Sequence, residues 1–177
     1  MFVCVLFCSA AIAVSEKPVL STWFPDNPQQ GKVYSYSKLH VWHRKGVTLL
    51  NSNGSKFLAN TFMIHGRNVN WKCATAGCNG QTAITAPEGF GGTAGDNFEY
   101  HGHRDWGVVI YAVDSAGNRI EDQIYDVTSS DKKMEFSNIY GLRVAVNDIT
   151  GPNGHGQNYA YDDNTGVFDV VITLVSP

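Results

Sequence analysis

The sequence predicts an all-β protein, an antiparallel sandwich or barrel. Three observations predict it. β-Branched and aromatic residues recur with a period of two in five separated runs. Eighteen glycines, together with Asn-rich connections, supply the turns between those runs. No stretch offers three apolar helical turns with caps. A chain of 177 residues can bury one real core, and no repeat, low-complexity tract or linker-like shift divides it. A single domain from about residue 20 to 177 is therefore expected.

Taken in order, the chain opens with "MFVCVLFCSAAIAVSEKP". The apolar run over residues 2–14 is too short to span a bilayer and ends in small residues. Ala11-Ile12-Ala13 matches a cleavage site, so residues 1–13 read as a signal peptide, although the positive n-region is missing. The other reading of this run is a buried N-terminal strand. Nothing later is long and apolar enough to cross a membrane as a helix. The leader implies a secreted protein, and Asn53-Gly54-Ser55 is an N-glycosylation sequon compatible with that.

The strand runs follow. Residues 39–42 and 57–64 alternate, and the Gly-rich stretch 66–95 is too long for a simple turn. It carries "CATAGC", in which Cys73 and Cys78 are four residues apart. That is not the spacing of a zinc knuckle or a thioredoxin motif, and a local disulfide is the better reading in an oxidising compartment. Closing so short a loop contributes only about 2 kcal/mol. Residues 108–113 and 142–146 alternate again, with Leu142, Val144 and Val146 facing one way. The last run, 167–175, is the clearest. Phe168, Val170, Ile172 and Leu174 are expected to face a core, with Asp169 and Thr173 opposite.

Chemistry-bearing residues are few. A net charge of −3 leaves no broad basic field for nucleic acid or an anionic membrane. The chain has no G-x-S-x-G elbow, no H-E-x-x-H and no phosphate-binding loop, and adjacent acids such as Glu121 and Asp122 are usually solvated. A non-enzymatic protein is expected.

In "EYHGHRDW", His101 and His103 would share one face of an extended chain. With Asp105 they could bind zinc or copper. They could equally line a sugar-binding rim beside Tyr100 and Trp106, or form a plain polar surface. Further on, Asp148 ends one strand and Asp162-Asp163-Asn164 precede the next. If those strands are neighbours, the oxygens converge, as a hard cation such as calcium requires. An Asx-turn with a Gly-containing hairpin corner explains Asn164 and Gly166 without any metal.

The stretch "VNDITG…YAYDDNTGVFDVVI" resembles the C-terminal signature of small calcium-dependent, galactose-binding lectins, typified by the soluble galactophilic (LecA-like) lectins of bacteria. Asn147-Asp148, Tyr161, Asp163-Asn164, Gly166, Phe168, Val170 and Ile172 match it in order. Upstream, "GGTAGDNFEYHGHRDWGVVIYAVDSAG" looks like that family's G-D segment and histidine-containing sugar loop. The likeness covers about residues 90–174. It implies a jelly-roll-like, galactose-binding-domain-like β-sandwich with calcium at one end, directly coordinating two sugar hydroxyls. By position, Asp148, Asp163 and Asn164 would be side-chain calcium ligands and Ala160 a carbonyl ligand. His101 falls nearest the sugar-contacting histidine, with His103 as the alternative; Tyr100, Asp148 and Asn164 complete the expected sugar site. The loop 149–160 is longer than the family's.

Two functions follow as expectations. One is a secreted calcium-dependent lectin for galactose-type glycans. A single site of this kind binds weakly, so a homo-oligomer is expected. The other is an extracellular matrix or coat assembly protein on the same sandwich. Trp23, Phe24, Trp42 and Trp71 would then be candidate partner contacts, or else core residues.

Overall fold

The computed structural model describes residues 30–31, 33–40, 44–51, 56–57, 61–72, 83–150, 161 and 164–176. Within them run β1 (Val33–His40), β2 (Val47–Asn51), β3 (Thr61–Lys72), β4 (Val108–Val113), β5 (Arg119–Asp126), β6 (Lys132–Glu135), β7 (Gly141–Val146) and β8 (Thr165–Ser176). They form two four-stranded sheets, ordered β1-β8-β3-β6 and β2-β7-β4-β5. Every pairing is antiparallel. The fold is thus an all-β antiparallel sandwich. Apart from the β4–β5 hairpin, consecutive strands lie in opposite sheets, so the connections repeatedly cross the ends of the sandwich.

The period-two pattern fills the space between the sheets. Phe168, Val170, Ile172 and Leu174 of β8 join Phe62 and Ile64 of β3 on one side. Ile110, Leu142 and Val144 meet them from the other. Each fully buried side chain of this size contributes roughly 1.5–3 kcal/mol. Trp71 is 0% exposed and belongs to this core, so it offers no surface to a partner. Strand β4 is buried on both faces: Val109, Tyr111 and Val113 point outward beneath Tyr100 and Ala145 in a second, smaller cluster.

Asp169 has a role its outward position conceals. The registers of β1 and β3, which flank β8, both slip at its level, between Tyr36 and Leu39 and between Arg67 and Asn70. Lys38 and Asn68 sit in the slips at positive φ, 57° and 50°. The Asp169 carboxylate takes the Lys38 backbone N–H at 2.8 Å on one oxygen and the Asn68 side-chain amide at 2.7 Å on the other. One central carboxylate therefore satisfies the backbone donor freed at one bulge and anchors the side chain at the other.

Among the described residues, no helix is long and apolar enough to cross a membrane. The leader, Trp23, Phe24, Trp42, Asn53, Cys73, Cys78, Ala160 and Asp163 lie outside the described residues.

Candidate functional site

Asp148 and Asn164 meet at the end of the sandwich where β7 exits and β8 begins, beside the loop that carries Tyr100, His101 and His103. These strands are not neighbours, as the simplest way to unite Asp148 with Asn164 would have it. They lie in opposite sheets, and the two residues meet across the end of the core. Nor is Gly166 a hairpin corner. It is in β8 at φ 123°, paired with Trp71, and a Cβ there would stand 2.1 Å from the Asn70 carbonyl oxygen.

Asp148 is 3% exposed and Asn164 is 2% exposed. The Asp148 carboxylate accepts the Ile149 N–H at 2.7 Å on one oxygen and the Asn164 side-chain amide at 2.8 Å on the other. Tyr161, fully buried, fixes the arrangement. Its hydroxyl accepts from the Asp148 N–H and donates to the Val146 carbonyl, both at 3.1 Å, while its own carbonyl accepts the Asn164 N–H at 3.2 Å. Burial holds this phenol well above its ordinary pKa, so it stays a neutral donor. The Asn164 side-chain oxygen is buried and has no hydrogen-bond partner among the described residues.

Asn147 ties a second loop to this centre. Its Oδ1 accepts the Tyr100 N–H at 2.9 Å, and its Nδ2 donates to the Tyr100 and Arg104 carbonyls at 2.8 and 3.0 Å. Alongside, Glu99 N–H donates to the Asp148 carbonyl and Thr150 N–H to that of Asn97. The loop holding both histidines is thereby fixed to the backbone of the Asp148 segment.

That loop differs from the extended chain expected of it. Gly102 is left-handed at φ 82°, and residues 99–106 are a series of turns. His101 and His103 consequently do not share a strand face. His101 is exposed, whereas His103 Nδ1 lies 3.4 Å from the Asp126 carboxylate, which also accepts the Arg104 N–H at 2.9 Å. Burial pushes the Asp126 carboxyl up, but the His103 ring, the Arg104 amide and Lys132 outweigh it and hold the group below the ordinary range.

Tyr100 and Trp106 are not on a rim either. Tyr100 is 2% exposed, its ring 5.6 Å from that of Tyr111 and beneath the Arg119 guanidinium at 4.8 Å. Trp106 is buried between Phe90 and Phe98. Glu99, which the sequence did not single out, bridges Arg44 at 2.6 Å and Arg119 at 3.0 Å. No spacing rule joins residues so far apart, and only the fold reveals the network.

Among the described residues, no group of three or more His, Cys, Asp or Glu side chains is placed to hold a metal, so His101, His103 and Asp105 do not form one. Asp148 and Asn164 do fit a hard cation in kind. Both present oxygen, both are buried, and one oxygen is orphaned. The two ends of an amide are interchanged by a flip, which would turn the Asn164 oxygen toward the Asp148 carboxylate if a cation lay between them. No protein-family model, curated protein or solved structure matches the chain.

Proposed function

We propose that this chain is a secreted, calcium-dependent carbohydrate-binding protein whose ligands are galactose-type glycans and whose working form is an oligomer. The observation that carries the reading is the buried Asp148–Asn164 contact with its unpartnered amide oxygen. A turn-forming Asn has no need of that orphan. Leaving such a group unsatisfied costs roughly 1–3 kcal/mol, a cost that ligating a cation removes. Bound calcium supplies a charge to which sugar hydroxyls can coordinate. Asp148 and Asn164 would hold it, with Asp163 and the Ala160 carbonyl completing the set. His101, exposed on the loop that Asn147 clamps beside Asp148, is the residue left to touch the sugar. The strand orders 1-8-3-6 and 2-7-4-5, in two four-stranded sheets, suit the jelly-roll-like architecture that the resemblance implies.

The test is calorimetric titration of the chelator-stripped chain with calcium, followed by retention on immobilised galactose with and without chelator. Calcium binding and chelator-sensitive retention are expected. Calcium binding without any sugar retention would leave a structural ion. Neither would favour a matrix or coat assembly on the same sandwich.

A further inference from the structure

The opposite end of the β2-β7-β4-β5 sheet carries a cleft of about 210 Å³ between β2, β7 and the β4–β5 turn. Val113 and Gly141 lie side by side in its lining, with the Leu50 backbone against Gly141. Gly141 allows the β2 backbone to pass close, since a Cβ there would meet the Leu50 carbonyl oxygen at 2.7 Å. Arg143 follows, two residues along the same strand face from Gly141 and paired across the ladder with Thr48. No described carboxylate forms an ion pair with Arg143, which is half-buried in the wall.

The facing wall is the β4–β5 turn. Asp114 accepts N–H groups from Ala116 at 2.9 Å and Asn118 at 2.8 Å, and these bonds, the Asn118 amide first, hold its carboxyl below the ordinary range. It is therefore ionised at neutral pH, with acceptor capacity left over. Thr48, Ser115 and Tyr140, each carrying a hydroxyl, are also in the lining.

The sign balance favours a ligand without net charge. An anion drawn to Arg143 meets Asp114, and a cation drawn to Asp114 meets Arg143. A neutral polyol uses both, accepting from the guanidinium and donating to the carboxylate, with its apolar face on Val113 or the Tyr140 ring. We propose that this cleft is a second, cation-independent site for a neutral polyhydroxylated ligand, a single sugar ring. It stands apart from the calcium reading. Residues 141 and 148 are roughly 20 Å apart along an extended chain, so a chain with both sites is bivalent before any oligomer forms.

The test uses the ¹⁵N-labelled full chain in excess chelator, titrated with the methyl glycosides of galactose, mannose and glucose, and with sodium sulfate as the anion control. At least one glycoside is expected to shift the amides of Ser115, Gly117 and Gly141 saturably in the millimolar range. Arg143→Ala should abolish the shift. Thr48→Val, which keeps shape and removes one hydroxyl, should weaken binding about fivefold while the rest of the spectrum is unchanged. No saturable shift with any glycoside, a shift with sulfate instead, or shifts surviving both substitutions would overturn the proposal.

Discussion

Substituting Asn164→Asp separates a cation site from a turn, because only a cation site gives the variant a larger calcium response than the wild type. The wild-type amide nitrogen lies 2.8 Å from the Asp148 carboxylate, and both side chains are buried. The substitution keeps the shape but replaces a donor with a second carboxylate. Two like charges about 4 Å apart at an effective dielectric constant near 20 repel by about 4 kcal/mol. In chelator at neutral pH that lowers the melting midpoint by about 8–16 °C for a domain of this size. One carboxyl then holds a proton more tightly than an ordinary aspartic acid, so the penalty shrinks as pH falls through its raised pKa.

With a cation between them, the same two charges become ligands. For the wild type, calcium at about a hundred times its dissociation constant contributes roughly 2.7 kcal/mol, or about 5–10 °C. Asn164→Asp should show a larger calcium-dependent rise than that, recovering most of its loss. Thermal melts in chelator and in millimolar calcium, on both chains, measure the difference directly. A variant equally destabilised in both conditions, with no larger calcium response than the wild type, would refute the ion site and leave Asn164 as a turn residue.

Three further outcomes are expected. Asp169→Ala removes the acceptor for Lys38 N–H and the Asn68 amide and should cost about 2–4 kcal/mol in urea unfolding; a change below about 0.5 kcal/mol would mean the bulges hold themselves. Tyr161→Phe strands the buried Asp148 N–H and Val146 carbonyl, with an expected loss of about 1–3 kcal/mol and weaker calcium binding by calorimetry. Asp126 and Glu88 both have lowered carboxyl pKa values. Their stabilisation is complete above the unfolded carboxylate range, about pH 4, and is lost as pH falls through the folded values. Midpoints measured from pH 6 to 3 should decline, and Asp126→Asn should flatten that decline; an unchanged slope would remove Asp126 from the cause.

What the sequence revealed follows from where alternation survives. The run 167–175 lies in β8, a strand with neighbours on both sides, and Phe168 through Leu174 face the core as expected. Residues 108–113 match β4 from end to end. Strands β2, β5 and β6 are not legible because their patterns are broken. Leu49 and Leu50 are both buried at a bulge in β2, and β5 and β6 are edge strands rich in Arg, Lys, Asp and Glu. In β1 the slip after Tyr36 interrupts the alternation of Tyr34, Tyr36 and Leu39, so the pattern predicts strand only from residue 39. Asp148 and Asn164 were legible as a pair because their residue types suit one site, but their meeting across two sheets was not. Tyr100 and Trp106 misled for the complementary reason. A large aromatic beside histidines reads as a sugar platform, yet both rings are buried in the run of turns over residues 99–106.

Asn147 makes the candidate site a coupled unit rather than two loops that happen to meet. Three hydrogen bonds from one buried amide tie Tyr100 and Arg104 to the segment that presents Asp148. Tyr161 ties that same segment to the residue before β8. A ligand held at Asp148 and Asn164 would therefore meet a loop whose position is already set, and ordering it would cost little at binding. Affinity would reside in the buried oxygens, and selectivity in the exposed His101 carried by that loop. Asn147→Ala separates these roles. It leaves Asp148 and Asn164 in place, so calcium binding should survive, while the freed loop should lose sugar selectivity. Loss of both together would show that the clamp shapes the ion site itself.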